Sequence, residues 1–151
     1  GYIGASKQIA SACSKVQGQF TSAPSSISQK ATIAALDADP AILKDMMAAF
    51  KGRRKLVLDA LNTIPGVKTN IPEGAFYVFP DMSSFFGKSY VGSTINGAND
   101  LAMYLLNEAN VALVTGKAFG DKDCIRISYA ASEETLTEAM RRIKRALEKL
   151  S

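Results

Sequence analysis

Apolar residues recur at steps of three and four along several stretches of this chain, a spacing typical of helices that bury one face. The longest stretch begins at Asp39-Pro40, where the aspartate can cap free backbone N–H groups and the proline suits the first helical position. Its apolar stripe consists of Leu43, Met46, Met47, Phe50, Val57, Leu58 and Leu61. The pattern predicts one long helix of about six turns that ends before Ile64.

The same periodicity predicts further helices on both sides of this segment. They cover residues 9–17, 25–38 and 100–109 and a final stretch that begins after Ser132. Asn99 and Ser132 are suitable N-caps for the last two helices, and Asn110 can adopt the left-handed conformation that often ends a helix. The final helix has one apolar face, and its opposite face carries a basic cluster of Arg141, Arg142, Lys144 and Arg145.

After Gly66 the spacing changes from helical to alternating, which indicates strands. Residues 67–80 predict a hairpin around a PEG turn, and two further extended runs, VALVT and CIRISYA, flank a turn-rich connection. The segment 83–100, rich in glycine and serine, predicts a mobile excursion. A sheet covered on one side by helices would bury the apolar faces of these elements, so the predicted fold class is α+β, a two-layer sandwich. Residues 1–65 are expected to be mostly helical.

Composition narrows the classes of protein that remain possible. With 151 residues and 47% hydrophobic content, the chain can bury a core without metal or disulfide bonds. The absence of histidine removes the usual neutral-pH general base, the Ser/His/Asp and Cys/His nucleophile systems, and most zinc sites. Cys13 and Cys124 lie far apart and outside any CxxC spacing, which favours reduced thiols in a cytoplasmic protein. No apolar run reaches the length of a membrane span, so no membrane partner is predicted.

Several groups of residues that could carry chemistry have simpler structural interpretations. The basic cluster contributes to a net charge of only +4 and is expected to be a solvated helix face rather than a nucleic-acid surface. Glu133 and Glu134 suit the first turn of a helix, where negative charge is favourable, better than acid/base catalysis. Phe76, Tyr77 and Phe79 could stack RNA bases, but the stretch lacks the basic flanks of such motifs, and core packing is favoured.

These structural interpretations do not account for Arg126. It is the one charged residue in the apolar run CIRISYA. An unpaired guanidinium is costly to bury, so this side chain must reach solvent from an edge strand, meet an internal carboxylate, or bind the anionic group of a ligand. The residues alone leave these alternatives open.

The order of several longer motifs resembles that of a known enzyme family. These motifs are GYIGA, QGQFTSAPSSISQKA, FKGRRKLVLDALNTIPGV, PEGAFYVFPD, VALVTGKAFG and CIRISYAASEETLTEAMRRIKRAL. Together they resemble the C-terminal part of the aminotransferases that depend on pyridoxal 5'-phosphate (PLP), of the aspartate aminotransferase type, fold type I and class I/II. The resemblance covers nearly the whole chain.

This resemblance implies roles for two residues. Arg126 matches the arginine that forms a bidentate pair with the substrate α-carboxylate, and Phe76 matches a residue that lines the substrate pocket. The stretch VALVTGKAFG matches a loop near the mouth of the active site. The implied activity is transfer of an amino group from an α-amino acid, such as aspartate, to a 2-oxo acid through PLP.

The resemblance also implies an organisation for the complete protein. Residues 1–35 would be the tail of the large α/β PLP-binding domain and residues 36–151 the C-terminal small domain of a homodimer, with Thr21 and Ser22 near the dimer interface. The catalytic lysine and the arginine that grips the cofactor phosphate would precede Gly1. The lysines of this chain, including Lys7, Lys15, Lys30 and Lys117, lack the expected context. The chain is thus expected to be an inactive fragment without covalently bound cofactor.

Two rival hypotheses belong to other functional classes. One is a non-catalytic α+β domain that binds an amino acid through Arg126. The other is a nucleic-acid-binding module that uses the sheet aromatics and the basic cluster; its binding would depend strongly on salt. Neither accounts for the strand-like GYIG at the start of the sequence.

Overall fold

A computed structural model describes residues 2–151, and the chain divides into two compact units at the boundary between Leu43 and Lys44. The first unit contains helix α1 (Lys7–Phe20), helix α2 (Ser26–Asp37) and a short 3-10 turn, Pro40–Leu43. The helices α1 and α2, which lie entirely within the described residues, bury none of their side chains. Phe20 and Ile27 are 85% and 80% exposed. Residues 2–43 therefore form no hydrophobic core of their own.

The predicted long helix is present in a shortened form. Asp39 acts as the expected cap, since its Oδ1 accepts the backbone N–H of Ala41 at 2.9 Å. The residues that follow form the 3-10 turn, and the α-helix proper, α3, spans Lys44–Asn62. A tighter first turn is common at helix starts. Of the predicted apolar stripe, Val57, Leu58 and Leu61 are buried and Phe50 packs against the core while remaining partly exposed, whereas Leu43, Met46 and Met47 are exposed.

The second unit, Lys44–Ser151, contains short strands and two more helices. The strands are β1 (Tyr77–Val78), β2 (Ser89–Tyr90), β3 (Ser93–Thr94), β4 (Val114–Thr115) and β5 (Ile125–Ser128). The helices are α4 (Ala98–Ala109) and α5 (Glu133–Leu147). The strands β1, β5 and β4 form an antiparallel sheet in that order, with β5 in the middle, and β2 pairs with β3. This confirms the α+β fold class.

The three-stranded sheet has one buried face and one open face. Val78, Ile125 and Ile127 point to the buried side, where they join the core with the apolar faces of the helices. Helix α5 packs against both α3 and α4. Because side chains alternate along a strand, Arg126 and Ser128 lie on the opposite face and keep access to solvent.

The hairpin predicted over residues 67–80 is wrong. Strand β1 pairs with β5, not with the preceding segment, and only one bridge joins Lys68 to Asp81. Pro72 and Pro80 carry no N–H to donate to a ladder, which limits pairing along this segment. The partner strand β5 lies about fifty residues further along the chain, and local alternation does not indicate pairing with so distant a segment.

The segment predicted as a mobile excursion contains regular structure. Ser83–Phe85 forms a 3-10 turn, and β2 and β3 form a hairpin. Phe85 and Ile95 are buried, which anchors both ends of the segment in the core. Backbone hydrogen bonds between Ser89 and Ser151 also tie the hairpin to the C-terminus of the described chain.

Three of the four predicted helix caps are confirmed, and Asp39 is one of them. Ser132 Oγ accepts the N–H of Thr135 at 3.2 Å, and Asn110 ends α4 in the left-handed conformation with φ of 53°. The fourth, Asn99, was wrong, because α4 begins one residue before Asn99, with Gly97 in the cap position.

Candidate functional site

Arg126 lies in the middle of the open face of the three-stranded sheet. It belongs to β5, the central strand, directly opposite Val114 of β4. On the other side, Tyr77 of β1 pairs with Ser128, which places Tyr77 diagonal to Arg126 on the same face. The edge-strand interpretation of Arg126 is therefore wrong, and a rigid paired backbone holds this residue on both sides.

The guanidinium of Arg126 sits between two aromatic rings. Its Cζ lies 4.3 Å from the centroid of the Tyr77 ring and 4.0 Å from the centroid of the Phe119 ring. Both distances fall within the range of cation–π interactions. Within residues 2–151, no carboxylate pairs with Arg126 and no acceptor takes a hydrogen bond from it. The internal ion pair considered from the sequence is thus not formed among the described residues.

A tightly packed turn carries Phe119 to this position. The residues Gly116–Phe119 form a 3-10 turn directly after β4, and the N–H of Gly116 donates to the Cys124 carbonyl oxygen at 2.8 Å. A Cβ added to Gly116 would lie 2.6 Å from that same oxygen and 2.8 Å from Cζ of Phe79. Only glycine fits, so the backbone at the start of this turn packs closely against the Cys124 backbone.

Phe76 lies next to this arrangement and reaches it through Tyr77. It is 41% exposed, and its ring centroid is 4.5 Å from that of Tyr77 and 6.2 Å from that of Phe50. The turn before it is strained, because Ala75 has a φ of 57°, in the left-handed region. The Tyr129 hydroxyl donates to the Ala75 carbonyl oxygen at 2.9 Å, and the Tyr129 N–H donates to the carbonyl of Phe76. These bonds fix the turn and the direction of Phe76.

A groove of about 240 Å³ borders Phe76. Phe50, Phe76 and Tyr129 supply its apolar wall. Arg54 also lines it, with one nitrogen donating to the Pro72 carbonyl oxygen at 2.7 Å. The two residues predicted from the sequence, Arg126 and Phe76, are connected through Tyr77, whose ring contacts both of them.

Several charged side chains on α5 have partners on the helix itself. Hydrogen bonds from Arg141 and Arg142 lower the pKa of Glu138 to about 2. A hydrogen bond with Ser132, followed by one from the backbone, lowers the pKa of Glu134. Part of the basic cluster is therefore neutralised on the helix itself, which favours the solvated-face interpretation over a nucleic-acid surface.

The remaining side chains considered from the sequence are dispersed. Lys7, Lys15, Lys30 and Lys117 are all exposed. Cys13 is exposed and Cys124 buried, and neither forms a disulfide bond; burial is the main reason that the pKa of Cys124 rises to about 11. Among the described residues no helix combines the length and apolarity needed to cross a membrane.

Sequence reasoning missed Phe119 and Tyr77 as neighbours of Arg126. The stretch VALVTGKAFG was matched only as a whole to a loop near the mouth of the active site, and Tyr77 was assigned to core packing. A register for β1 against β5 would have identified Tyr77. No local signal indicates where the turn after β4 directs Phe119, since this depends on the close approach of Gly116 to the Cys124 backbone.

Comparison with known protein families gives a match over residues 1–143 to the model described as aminotransferase class I and II. A bifunctional aspartate aminotransferase and glutamate/aspartate-prephenate aminotransferase from Petunia hybrida is 50% identical, covering 97% of this chain and 32% of its own length. An aspartate aminotransferase from Pinus pinaster is 45% identical, covering 97% and 31%. The chain spans about a third of the length of these curated relatives.

Solved structures give the same picture. The crystal structure of an aspartate aminotransferase from Rhizobium meliloti superimposes with a TM-score of 0.84 at 44% identity, over 95% of this chain and 36% of that one. An aspartate aminotransferase from Thermotoga maritima gives a TM-score of 0.76 at 36% identity, over 95% and 34%. At these values both the sequence and the fold are similar.

Proposed function

The chain belongs to the class I and II aminotransferases, and on this premise we propose that the complete protein carrying it transfers an amino group from an α-amino acid to a 2-oxo acid. The names of the relatives support aspartate as the amino donor. Amino-acid and 2-oxo-acid substrates, PLP as cofactor and a homodimeric assembly belong to the same proposal.

Within that activity, the role of this chain is to bind and orient the substrate through Arg126. The observation that carries the proposal is a guanidinium on the open face of the sheet that has no carboxylate partner among residues 2–151. A planar guanidinium matches a carboxylate with parallel charge-assisted hydrogen bonds, which fix orientation as well as position. A substrate held by its α-carboxylate presents its amine in one direction, and such positioning contributes strongly to rate.

Phe76 is the second substrate contact in this proposal. Its exposed ring borders the apolar groove next to Tyr77, where it would shield the bound substrate from water. Hydrogen bonds are stronger where water is excluded, so shielding by Phe76 would strengthen the hydrogen bonds between Arg126 and the substrate carboxylate.

PLP, when bound to the complete protein, supplies the electron sink and takes up the amino group. The four lysines named above are exposed. The motif resemblance supports placing the lysine that carries PLP in another part of the complete protein. Residues 1–35 would belong to the large PLP-binding domain and residues 36–151 to the small domain, and this chain alone would be inactive.

The test is Arg126→Lys in the complete protein, measured as kcat/KM for aspartate. Lysine keeps the charge but cannot form the bidentate pair, so kcat/KM should fall on the order of 100-fold. Arg145→Lys is the matched control, because Arg145 is an exposed arginine on α5, and it should leave the kinetics unchanged. Kinetics of Arg126→Lys within about twofold of the parent protein would contradict the proposal.

A further inference from the structure

The contacts of Arg126 point to a role for two residues that neither the sequence motifs nor the family match assigns. Tyr77 and Phe119, here called the aromatic clamp, lie on either side of the guanidinium, with their ring centroids 4.3 Å and 4.0 Å from Cζ. They come from different elements, β1 and the turn after β4, and converge on the central strand β5.

A ring holds an arginine differently from a carboxylate. A carboxylate partner accepts the N–H groups and so occupies the donors that a ligand would need. An aromatic ring attracts the cation through its face without accepting those N–H groups as a carboxylate does. The aromatic clamp can therefore restrict Arg126 while leaving its donors free, and indeed none of them is hydrogen-bonded within the described chain.

This restriction matters because arginine is a long, flexible side chain. A free guanidinium loses much rotamer entropy when a ligand immobilises it, and that loss weakens binding. A guanidinium already held in one orientation loses less, which raises the affinity for any carboxylate that it binds.

The backbone segments that carry the two rings are themselves well packed. Backbone pairing with β5 fixes Tyr77, and the ring of Phe76 contacts it at 4.5 Å. Phe119 ends a turn whose Gly116 has no room for a Cβ against the Cys124 carbonyl oxygen. The clamp is thus anchored to the sheet at both sides.

We propose that Tyr77 and Phe119 are positioning residues that pre-orient the Arg126 guanidinium for a substrate carboxylate. The inference rests on the proposed function, since it takes Arg126 as the carboxylate-binding group. It adds that affinity for every carboxylate ligand of this arginine, whether amino acid, 2-oxo acid or unreactive dicarboxylate, depends on the two rings.

The test uses the complete protein with PLP bound and succinate, a dicarboxylate without an amine, as the probe for equilibrium binding. Phe119→Leu keeps an apolar side chain but removes the ring, and Phe119→Tyr keeps the ring and is the matched control. The Kd for succinate and the KM values for aspartate and 2-oxoglutarate should each rise about three- to twentyfold in Phe119→Leu, while kcat changes less. Phe119→Tyr should stay close to the parent protein.

A double-mutant cycle separates positioning from a general structural effect. If the ring acts through the arginine, Phe119→Leu should weaken succinate binding no further once Arg126→Ala is present. If the two losses multiply, the ring acts independently of Arg126 and the inference is wrong. Should Phe119→Leu fold poorly, Tyr77→Leu with Tyr77→Phe as its control tests the other side of the clamp in the same way.

The outcomes also distinguish this inference from the proposed function. Loss of succinate binding in Arg126→Ala together with unchanged binding in Phe119→Leu and Tyr77→Leu would overturn the clamp and leave the proposed function standing. Unchanged succinate binding in Arg126→Ala would overturn both.

Discussion

The hydroxyl of Tyr104 donates a hydrogen bond to the carbonyl oxygen of Ala146 at 2.7 Å, which joins helix α4 to helix α5 across the core. Both residues are buried, and burial is the main reason that the pKa of Tyr104 rises to about 12. With its pKa raised, the hydroxyl stays neutral and able to donate at neutral pH. This hydrogen bond is a polar interaction in the otherwise apolar contact between α4 and α5.

Tyr104→Phe should therefore destabilise the protein. Removing the donor costs about 1 kcal/mol, because the Ala146 oxygen still accepts backbone N–H groups from the residues after α5. The measurement is thermal unfolding of the complete protein, combined with hydrogen exchange of the α4 and α5 amides, which should speed up. Tyr2→Phe, at an exposed tyrosine, is the control. Unchanged exchange in Tyr104→Phe would show that the bond contributes nothing.

The turn between β2 and β3 offers a stabilising change. Val91 has a φ of 46° and Gly92 a φ of 79°, so both central residues of this two-residue hairpin turn are in the left-handed region. A β-branched residue is strained there, whereas asparagine tolerates this conformation. Val91 is also 86% exposed, so its side chain adds little packing.

Val91→Asn should accordingly strengthen the hairpin by about 1 kcal/mol. Hydrogen exchange at the amides of residues 89–95 should slow, while the amides of the three-stranded sheet stay unchanged. Val91→Ile, which retains the β-branch, should behave like the parent protein. Faster exchange in Val91→Asn than in Val91→Ile would contradict the assignment of strain to this residue.

The pairing of Glu138 with Arg141 and Arg142 predicts a pH dependence of stability. These hydrogen bonds lower the pKa of Glu138 to about 2 in the folded protein, below the ordinary value of 4.5. A carboxyl with a lowered folded-state pKa contributes stability that is complete above the unfolded value and is lost as the pH falls toward the folded value. The contribution should therefore be present at pH 7 and disappear between about pH 4.5 and pH 2.

Glu138→Gln checks this expectation. At neutral pH the melting temperature of the variant should lie below that of the parent protein, and the gap should close as the pH falls below about 4.5. The gap should be small and should shrink in high salt, because the ion pair is exposed. Glu148→Gln, at an exposed glutamate near the end of the same helix, should show no such gap. A pH-independent gap for Glu138→Gln would sink the ionic explanation.

Several elements were determined by local sequence. The apolar face of α5, its Ser132 cap and the left-handed Asn110 follow from short-range geometry, in which neighbours three or four residues apart decide the outcome. The start of the long helix was predicted less well. Asp39 caps as expected, but the 3-10 turn depends on small differences in first-turn geometry that propensities do not resolve.

The strand pairing of the sheet, by contrast, was not determined by local sequence. The alternation in residues 67–80 favoured a local hairpin, yet Tyr77 and Val78 pair with Ser128 and Ile127, about fifty residues away along the chain. Alternation shows which side chains share a face but not which strand is the partner, because partner choice depends on how the whole core packs. The prediction of a mobile excursion over residues 83–100 was wrong for a similar reason, because the burial of Phe85 and Ile95 depends on tertiary contacts.

For the candidate site, the sequence by itself determined that Arg126 is an unusual charge in an apolar strand, and its motifs led to the aminotransferase family. Only the tertiary structure decided that β5 is the central strand, that no carboxylate among residues 2–151 meets the guanidinium, and that Tyr77 and Phe119 flank it. The physical reason is the distance along the chain over which each effect acts. Residue type and spacing act within a few positions, whereas the surroundings of one side chain are set by strands and turns that long-range pairing brings together.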